Sequence, residues 1–131
     1  MRQSYVRFVT EAVDEDSGRR QGVFQAAYDL LDGNDLALHE RAELQALREW
    51  FTDHLDAPDR FARSQRNHPA PKAISWFKGT ATAYVSRMHS ICRILNEHGL
   101  GTAMITSGRP GYVVFEDEHQ IASVPFAETA T

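Results

Sequence analysis

The sequence predicts an α+β fold from the spacing of its apolar residues. They alternate with polar residues near the N-terminus, recur at helical spacing through the middle of the chain, and alternate again after Gly99. Strands and helices are therefore grouped along the chain, which is typical of α+β proteins and not of doubly wound parallel sheets. We expect three helices packed on one face of a mostly antiparallel sheet of three or four strands, in the order β-α-α-α-β-β-β.

The first half of the chain is predicted to form one strand and two helices. Residues 5–13 alternate like a strand, and Ser17 is placed to cap the helix that follows. Gly33 stands where that helix would end, and Asn34 or Asp35 can cap the second helix.

A long third helix is predicted from Pro71 to His98. The stretch RSQRNHPAP interrupts any earlier helix, because two prolines lie within three residues. Pro71 suits the first turn of a new helix, where its missing N–H group costs nothing. An apolar stripe at helical spacing then continues to Leu95, with Gly79 as the expected place for a bend.

Three more strands are predicted after Gly99. The stretches GTAMITS, YVVFEDE and HQIASVPF alternate and form an antiparallel meander in this prediction, with Pro110-Gly111 as a type II turn. We expect residues 1–131 to form a single domain and residues 127–131 to be a frayed tail.

Composition limits the class of protein. Apolar residues make up 42% of the chain and aromatic residues 10%, which is ordinary for a globular domain. No apolar run approaches the roughly 20 residues that span a bilayer, so we expect no membrane partner. Cys92 is the single cysteine, which excludes an internal disulfide framework and favours a reducing cytoplasm.

Motifs for nucleotides, metals and nucleophilic catalysis are missing or incomplete. GLGTAM has only two glycines of a dinucleotide fingerprint, and it follows a helix rather than a strand. The six histidines show no zinc-binding pattern, although His89 and Cys92 lie three residues apart on a predicted helix. Asp14 and Asp16 lack the remaining ligands of a calcium loop. We therefore expect no cofactor and no metal site, and we assign no catalytic residue.

Charge is distributed unevenly along this chain of net charge −4. Met1 to Asp59 carries 13 acidic and 6 basic residues, and Glu97 to Thr131 carries 5 acidic residues and 1 basic one. The 37 residues from Arg60 to Asn96, here called the basic span, carry 7 basic residues and no carboxylate. Such asymmetry indicates either an anionic partner or pairing between segments of the protein itself.

The basic span supplies most of the candidate binding residues. Lys72 would lie in the first turn of the third helix, where free N–H groups and converging cations form an anion site. Trp76, one helical turn later, would offer a ring for stacking. The predicted ligand-binding set is Arg60, Arg63, Arg66, Lys72, Trp76, Lys78 and Arg109.

Two interpretations of the basic span remain open. Carboxylates of the second helix could neutralise it without any ligand, and the candidates are Glu40, Glu43, Glu49 and Asp53. Alternatively, the span binds a phosphate-bearing small molecule or an acidic protein surface. Nucleic acid is a less favoured partner, because a net-negative protein is repelled by a phosphate backbone.

The predicted function is therefore binding or regulation, and catalysis is less favoured. A small enzyme acting on a phosphorylated or carboxylated substrate would use the same cations, with a histidine or Glu116 transferring the proton. An interaction protein would instead present the YVVFE stretch as an open sheet edge. The sequence does not indicate an oligomeric state.

The stretches RFARS and KAISWFK, followed by RPGYVVFEDEHQIASVPF, resemble a family of small uncharacterised bacterial proteins known only as hypothetical. The resemblance extends from the first strand to Phe126, and it implies a stand-alone bacterial domain of the cytoplasm. No activity is known for that family, so the resemblance implies no functional residue.

Overall fold

A six-stranded antiparallel sheet and three helices make up the part of the chain described by the structure, a computed structural model covering residues 4–13, 20–55 and 73–127. The elements are β1 (Tyr5–Val13), β2 (Arg20–Gly22), α1 (Val23–Asp32), α2 (Leu38–His54), β3 (Ile74–Lys78), α3 (Thr82–Glu97), β4 (Thr102–Ser107), β5 (Tyr112–Glu116) and β6 (Gln120–Val124). The α+β class is confirmed. The sheet, however, has six strands rather than the expected three or four.

Strand pairing differs from the predicted meander. The strand order is β2-β1-β3-β6-β5, and β4 pairs with β1. The antiparallel hairpin of β5 and β6 is confirmed. Among the described strands β4 is therefore not the neighbour of β5, and β2 and β3 are strands that the spacing did not predict.

The predicted third helix is wrong at its beginning. Residues Ile74–Lys78 form β3, which pairs with β1 and with β6, and α3 begins only at Thr82. Ile74 and Phe77 fit a helical stripe as well as a strand, so apolar spacing alone does not separate the two structures. A turn at Gly79, whose N–H donates to the carbonyl oxygen of Ser4, separates β3 from α3.

Helices α1 and α2 lie where the spacing predicts them, but their N-caps differ from the expected residues. Helix α1 begins after Gly22, while Ser17 lies outside the described residues. Ala37 precedes α2, and the carboxylate of Glu40 accepts a hydrogen bond from the Ala37 N–H. A side chain at the third helical position thus satisfies a donor that the helix itself cannot satisfy.

The described residues fall into two compact units, and unit 1 contains residues 4–7, 73–85 and 105–127. Its buried cluster consists of Ile74, Trp76 and Ile121, against which Tyr5 and Ile105 pack. Trp76 and Ile121 are direct partners in the pairing of β3 with β6. The strand pairing therefore brings large side chains together at the centre of unit 1.

The hairpin of β5 and β6 in unit 1 is closed by side-chain contacts at both of its ends. The Asp117 carboxylate accepts hydrogen bonds from the backbone N–H groups of His119 and Gln120, at 2.8 and 2.9 Å. At the other end the Ser123 hydroxyl donates to the carbonyl oxygen of Pro110 at 3.1 Å. These bonds fix the turn between the strands and the chain segment that enters β5.

Unit 2 contains residues 8–13, 20–55 and 86–104. Val9, Leu44 and Leu95 have no exposed surface, so the core of this unit draws on β1, α2 and α3. Two hydrogen bonds from the Arg41 guanidinium reach the carbonyl oxygens of Leu31 and Gly33, at 2.5 and 2.7 Å. Because the last carbonyl groups of a helix lack partners within it, Arg41 caps the end of α1.

Candidate functional site

Most of the predicted binding set lies in a segment beyond the described residues. Arg60, Arg63, Arg66 and Lys72 fall between residues 55 and 73, so their convergence on one ligand stays a prediction. The helix start expected at Lys72 is wrong, because the next described element is β3 and α3 begins at Thr82. An anion site built on that helix N-terminus therefore has no support.

Trp76 is not a surface ring. Its side chain is 1% exposed and belongs to the buried cluster of unit 1, so it has no free face for a ligand. The prediction placed Trp76 in the first part of the third helix, where the structure has β3 instead. As a residue of β3, a strand with neighbours on both sides, it faces the core instead.

Lys78 forms an ion pair with a carboxylate of the same chain. Its Nζ lies 2.6 Å from a carboxylate oxygen of Glu116, and its side chain is 13% exposed. A cation of the basic span is thus neutralised within the protein, although by Glu116 and not by one of the α2 carboxylates named in the alternative. The same contact weakens the enzyme hypothesis, because Glu116 pairs with Lys78 rather than standing ready for proton transfer.

Arg109 lies on the chain segment that enters β5. The carbon at the centre of its guanidinium is 5.3 Å from the centroid of the Phe126 ring, a distance at which cation and ring attract. Arg109 is exposed. Among the described residues, Lys78 and Arg109 are thus engaged in two different contacts rather than in one cluster.

The two remaining cations of the basic span are also engaged. Arg93 donates to Glu43 at 2.6 Å and to Glu97 at 3.2 Å, and these hydrogen bonds to carboxylates raise the pKa of its guanidinium. The Arg87 guanidinium lies over the Trp50 ring at 3.8 Å. The described cations of the span therefore all have contacts within the protein.

Two of the four α2 carboxylates that could neutralise the span already have partners, and one of those partners, Arg93, belongs to the span itself. Glu43 pairs with Arg93. Glu40 accepts from the Ala37 N–H and lies 2.9 Å from Nε2 of His98, and these two contacts lower the pKa of its carboxyl group. Glu49 and Asp53 are exposed on α2 and form no ion pair with a described residue.

Sequence reasoning did not find the stack around Trp50. The His54 ring is parallel to the Trp50 ring at 4.3 Å between centroids, while the guanidinium of Arg87 also lies against the indole. Positions four apart on a helix are neighbours on its surface, so the pairing of Trp50 with His54 could have been read from the sequence. The contribution of Arg87 depends on tertiary packing.

A cleft of about 510 Å³ opens in unit 2. Phe8, Cys92 and Met104 supply apolar lining, while His89 and Arg93 are among its polar residues. Burial raises the pKa of the Cys92 thiol, and a side-chain hydrogen bond with Thr102 only partly offsets this. Burial thus favours the protonated form of the thiol over the nucleophilic thiolate.

The described residues also contain no group of three or more His, Cys, Asp or Glu that could hold a metal ion. None of the described helices combines the length and apolar character needed to cross a bilayer.

Comparisons with protein-family models, with curated proteins and with solved structures found no match to this chain. The resemblance to small bacterial proteins therefore stays an expectation from the sequence.

Proposed function

We propose that the protein is a small binding protein that recognises an anionic ligand or an acidic protein surface through Arg60, Arg63, Arg66 and Lys72. The observation that carries this proposal is the distribution of charge in the basic span. Four of its seven cations lie within 13 residues, and the other three, which lie among the described residues, have contacts within the protein.

The contacts that the α2 carboxylates already make within the protein support the proposal. Internal neutralisation of the four cations would need nearby acidic partners, and Glu40 and Glu43 already serve His98 and Arg93. Glu49 and Asp53 are the members of that group that remain for the four cations. Two carboxylates do not balance four basic residues, so these α2 side chains alone do not neutralise the four cations.

The nature of the partner follows from charge and geometry. Arginine side chains bind phosphate and carboxylate oxygens in pairs of parallel hydrogen bonds, which favours ligands that present such groups. Long-range repulsion from a chain of net charge −4 disfavours extended polyanions such as nucleic acid. The proposal places this activity in a bacterial cytoplasm, where the reduced state of Cys92 is maintained.

Charge reversal tests the proposal directly. The variant R63E/R66E is compared with R20E/R48E, which changes the net charge equally at two exposed positions outside the span. The probes are inorganic pyrophosphate, ATP, an oligoglutamate peptide and a short single-stranded DNA. A probe present at about 100 times its Kd stabilises the protein by roughly 2.7 kcal/mol, which is measurable by thermal unfolding.

We expect at least one of the first three probes to stabilise the wild type and R20E/R48E, with the effect lost in R63E/R66E. Equal responses of the two double variants would overturn the proposal, as would a wild type that responds to none of the probes. Binding of the DNA alone would identify nucleic acid as the partner and overturn the assignment of a small anion or an acidic protein.

A further inference from the structure

Within the part of the chain that the structure describes, the outer strand of unit 1 combines an unpaired edge with exposed apolar side chains. Strand β5 stands at one end of the strand order, where it pairs with β6 and with no second strand among the described residues. Tyr112 and Val113 are 48% and 42% exposed, although both are large apolar residues within a strand. An uncovered strand edge of this kind is a template for pairing with another chain.

Two residues beside the edge extend the exposed apolar surface of Tyr112 and Val113 into a larger patch. Phe126, just after β6, is 37% exposed, and the Arg109 guanidinium lies against its ring. Aromatic residues and arginine are enriched where protein interfaces derive most of their binding energy. The patch is thus composed like an interface rather than like an average surface.

The charges around β5 are arranged to complement a second copy of the same strand. Arg109 precedes the strand, whereas the exposed Glu118 lies in the turn that follows it. Of the other two acidic residues there, Glu116 is paired with Lys78 and the Asp117 carboxylate is hydrogen-bonded within the turn. In an antiparallel pair of identical strands the start of each lies against the end of the other. The basic start of one copy would therefore face the acidic end of its partner, at both ends of the pair.

We propose that β5 pairs antiparallel with β5 of a second copy of this chain, which forms a two-fold dimer. Each copy contributes the same patch, as an isologous interface requires, and the pairing occupies both β5 edges so that no third copy can add there. This interaction is separate from the anion site proposed above and involves none of its four cations.

The interface is small, and this fixes the expected strength of the dimer. β5 has five residues, and its pairing with β6 shifts register between Val113 and Phe115, which shortens the regular part of the strand. Such a bulge also discourages indiscriminate pairing at the edge. An interface below about 1,000 Å² is of the transient class, so we expect dissociation constants on the order of 0.1–1 mM.

Sedimentation velocity over a concentration series up to about 1 mM tests the dimer against this estimate of its strength. V113K introduces a charge at an exposed position of β5, within the proposed interface, and should weaken self-association at least about tenfold. V13K makes the same change at an exposed valine of β1 in unit 2 and should leave self-association unchanged. Circular dichroism confirms that each variant is folded.

A cycle of charge-swap variants tests whether the two β5 strands of the dimer run antiparallel. R109E and E118R should each weaken the dimer, because each places like charges at both ends of the pair, and R109E/E118R should restore it. A wild type that stays monomeric over the whole series overturns the proposal. So does a dimer that tolerates V113K, or one that the double variant fails to restore, because its contacts would lie elsewhere or run in another direction.

Discussion

Nε2 of His98 lies 2.9 Å from a carboxylate oxygen of Glu40, and both side chains are 18% exposed. The other carboxylate oxygen of Glu40 accepts a hydrogen bond from the backbone N–H of Ala37, at the start of α2. One carboxylate thus caps a helix and holds the turn that follows α3. Its ionised form is favoured by both contacts, which explains why its pKa is below the ordinary value.

The first prediction concerns the pH dependence of stability at Glu40. A carboxyl group whose pKa is lowered by folding contributes stability above its unfolded pKa, and this contribution is lost as the pH falls through the folded pKa. We expect E40Q to lower the melting temperature at pH 7, and we expect the difference from the wild type to shrink below about pH 4. E49Q, which removes a carboxylate from an exposed position of the same helix, is the control and should show little pH dependence. A difference for E40Q that stays constant from pH 7 to pH 3.5 would contradict the assignment.

The second prediction concerns the guanidinium of Arg41 at the end of α1. R41A removes the donors that satisfy the carbonyl groups of Leu31 and Gly33, and hydrogen bonds from a charged donor contribute about 1.5–3 kcal/mol. We expect the free energy of unfolding to fall by that amount. R48A removes an exposed arginine that stacks on Tyr28, at 4.1 Å, and should change stability by less than about 1 kcal/mol. Urea denaturation of the two variants provides the comparison, and equal losses would show that Arg41 does not cap α1.

The fold class and the positions of α1, α2, β5 and β6 could be predicted because local spacing determines them. β3 could not, since ISWF fits a helical stripe and a strand equally well, and only its pairing with β1 and β6 decides between them. For the same reason Trp76 was predicted to lie on a helix, whereas it lies on β3. For the candidate site, the uneven charge was visible in the sequence, but the contacts of Lys78 and Arg93 join residues tens of positions apart and depend on the folded structure.

The third prediction concerns Gly111 at the entrance to β5. Its φ of +138° is rarely adopted by residues with a side chain, and an added Cβ would lie 2.1 Å from the carbonyl oxygen of Val124. We expect G111A to destabilise the protein by at least about 2 kcal/mol, because backbone strain and a steric clash add together. Gly108 lies nearby in the chain with nothing within 4 Å of such a Cβ, so G108A should be close to neutral. Thermal unfolding of the two variants measures the difference, and similar effects would contradict this geometry.

The fourth prediction concerns the indole N–H of Trp76. This group is buried and has no hydrogen-bond partner among the described residues. A buried donor without a partner is unfavourable by about 1–3 kcal/mol, and replacing the ring by phenylalanine removes it. We therefore expect W76F to lower the free energy of unfolding clearly less than W76A does. For W76A a decrease of about 3–5 kcal/mol is typical. Denaturation followed by circular dichroism gives both values, and a W76F loss as large as that of W76A would show that the N–H does have a partner.

The fifth prediction concerns the unequal exposure of Lys78 and Glu116. The lysine side chain is 13% exposed and the glutamate side chain is 52% exposed. E116Q leaves a nearly buried ammonium group without its counter-charge, whereas K78M removes that charge and keeps an apolar stem of similar length. We expect E116Q to destabilise the protein by about 1–3 kcal/mol and K78M by less than about 1 kcal/mol. The double variant K78M/E116Q should be no less stable than E116Q alone, because the unpaired charge is gone. Should K78M be the more damaging single change, the favourable contribution of the ion pair would outweigh the burial of the lysine charge.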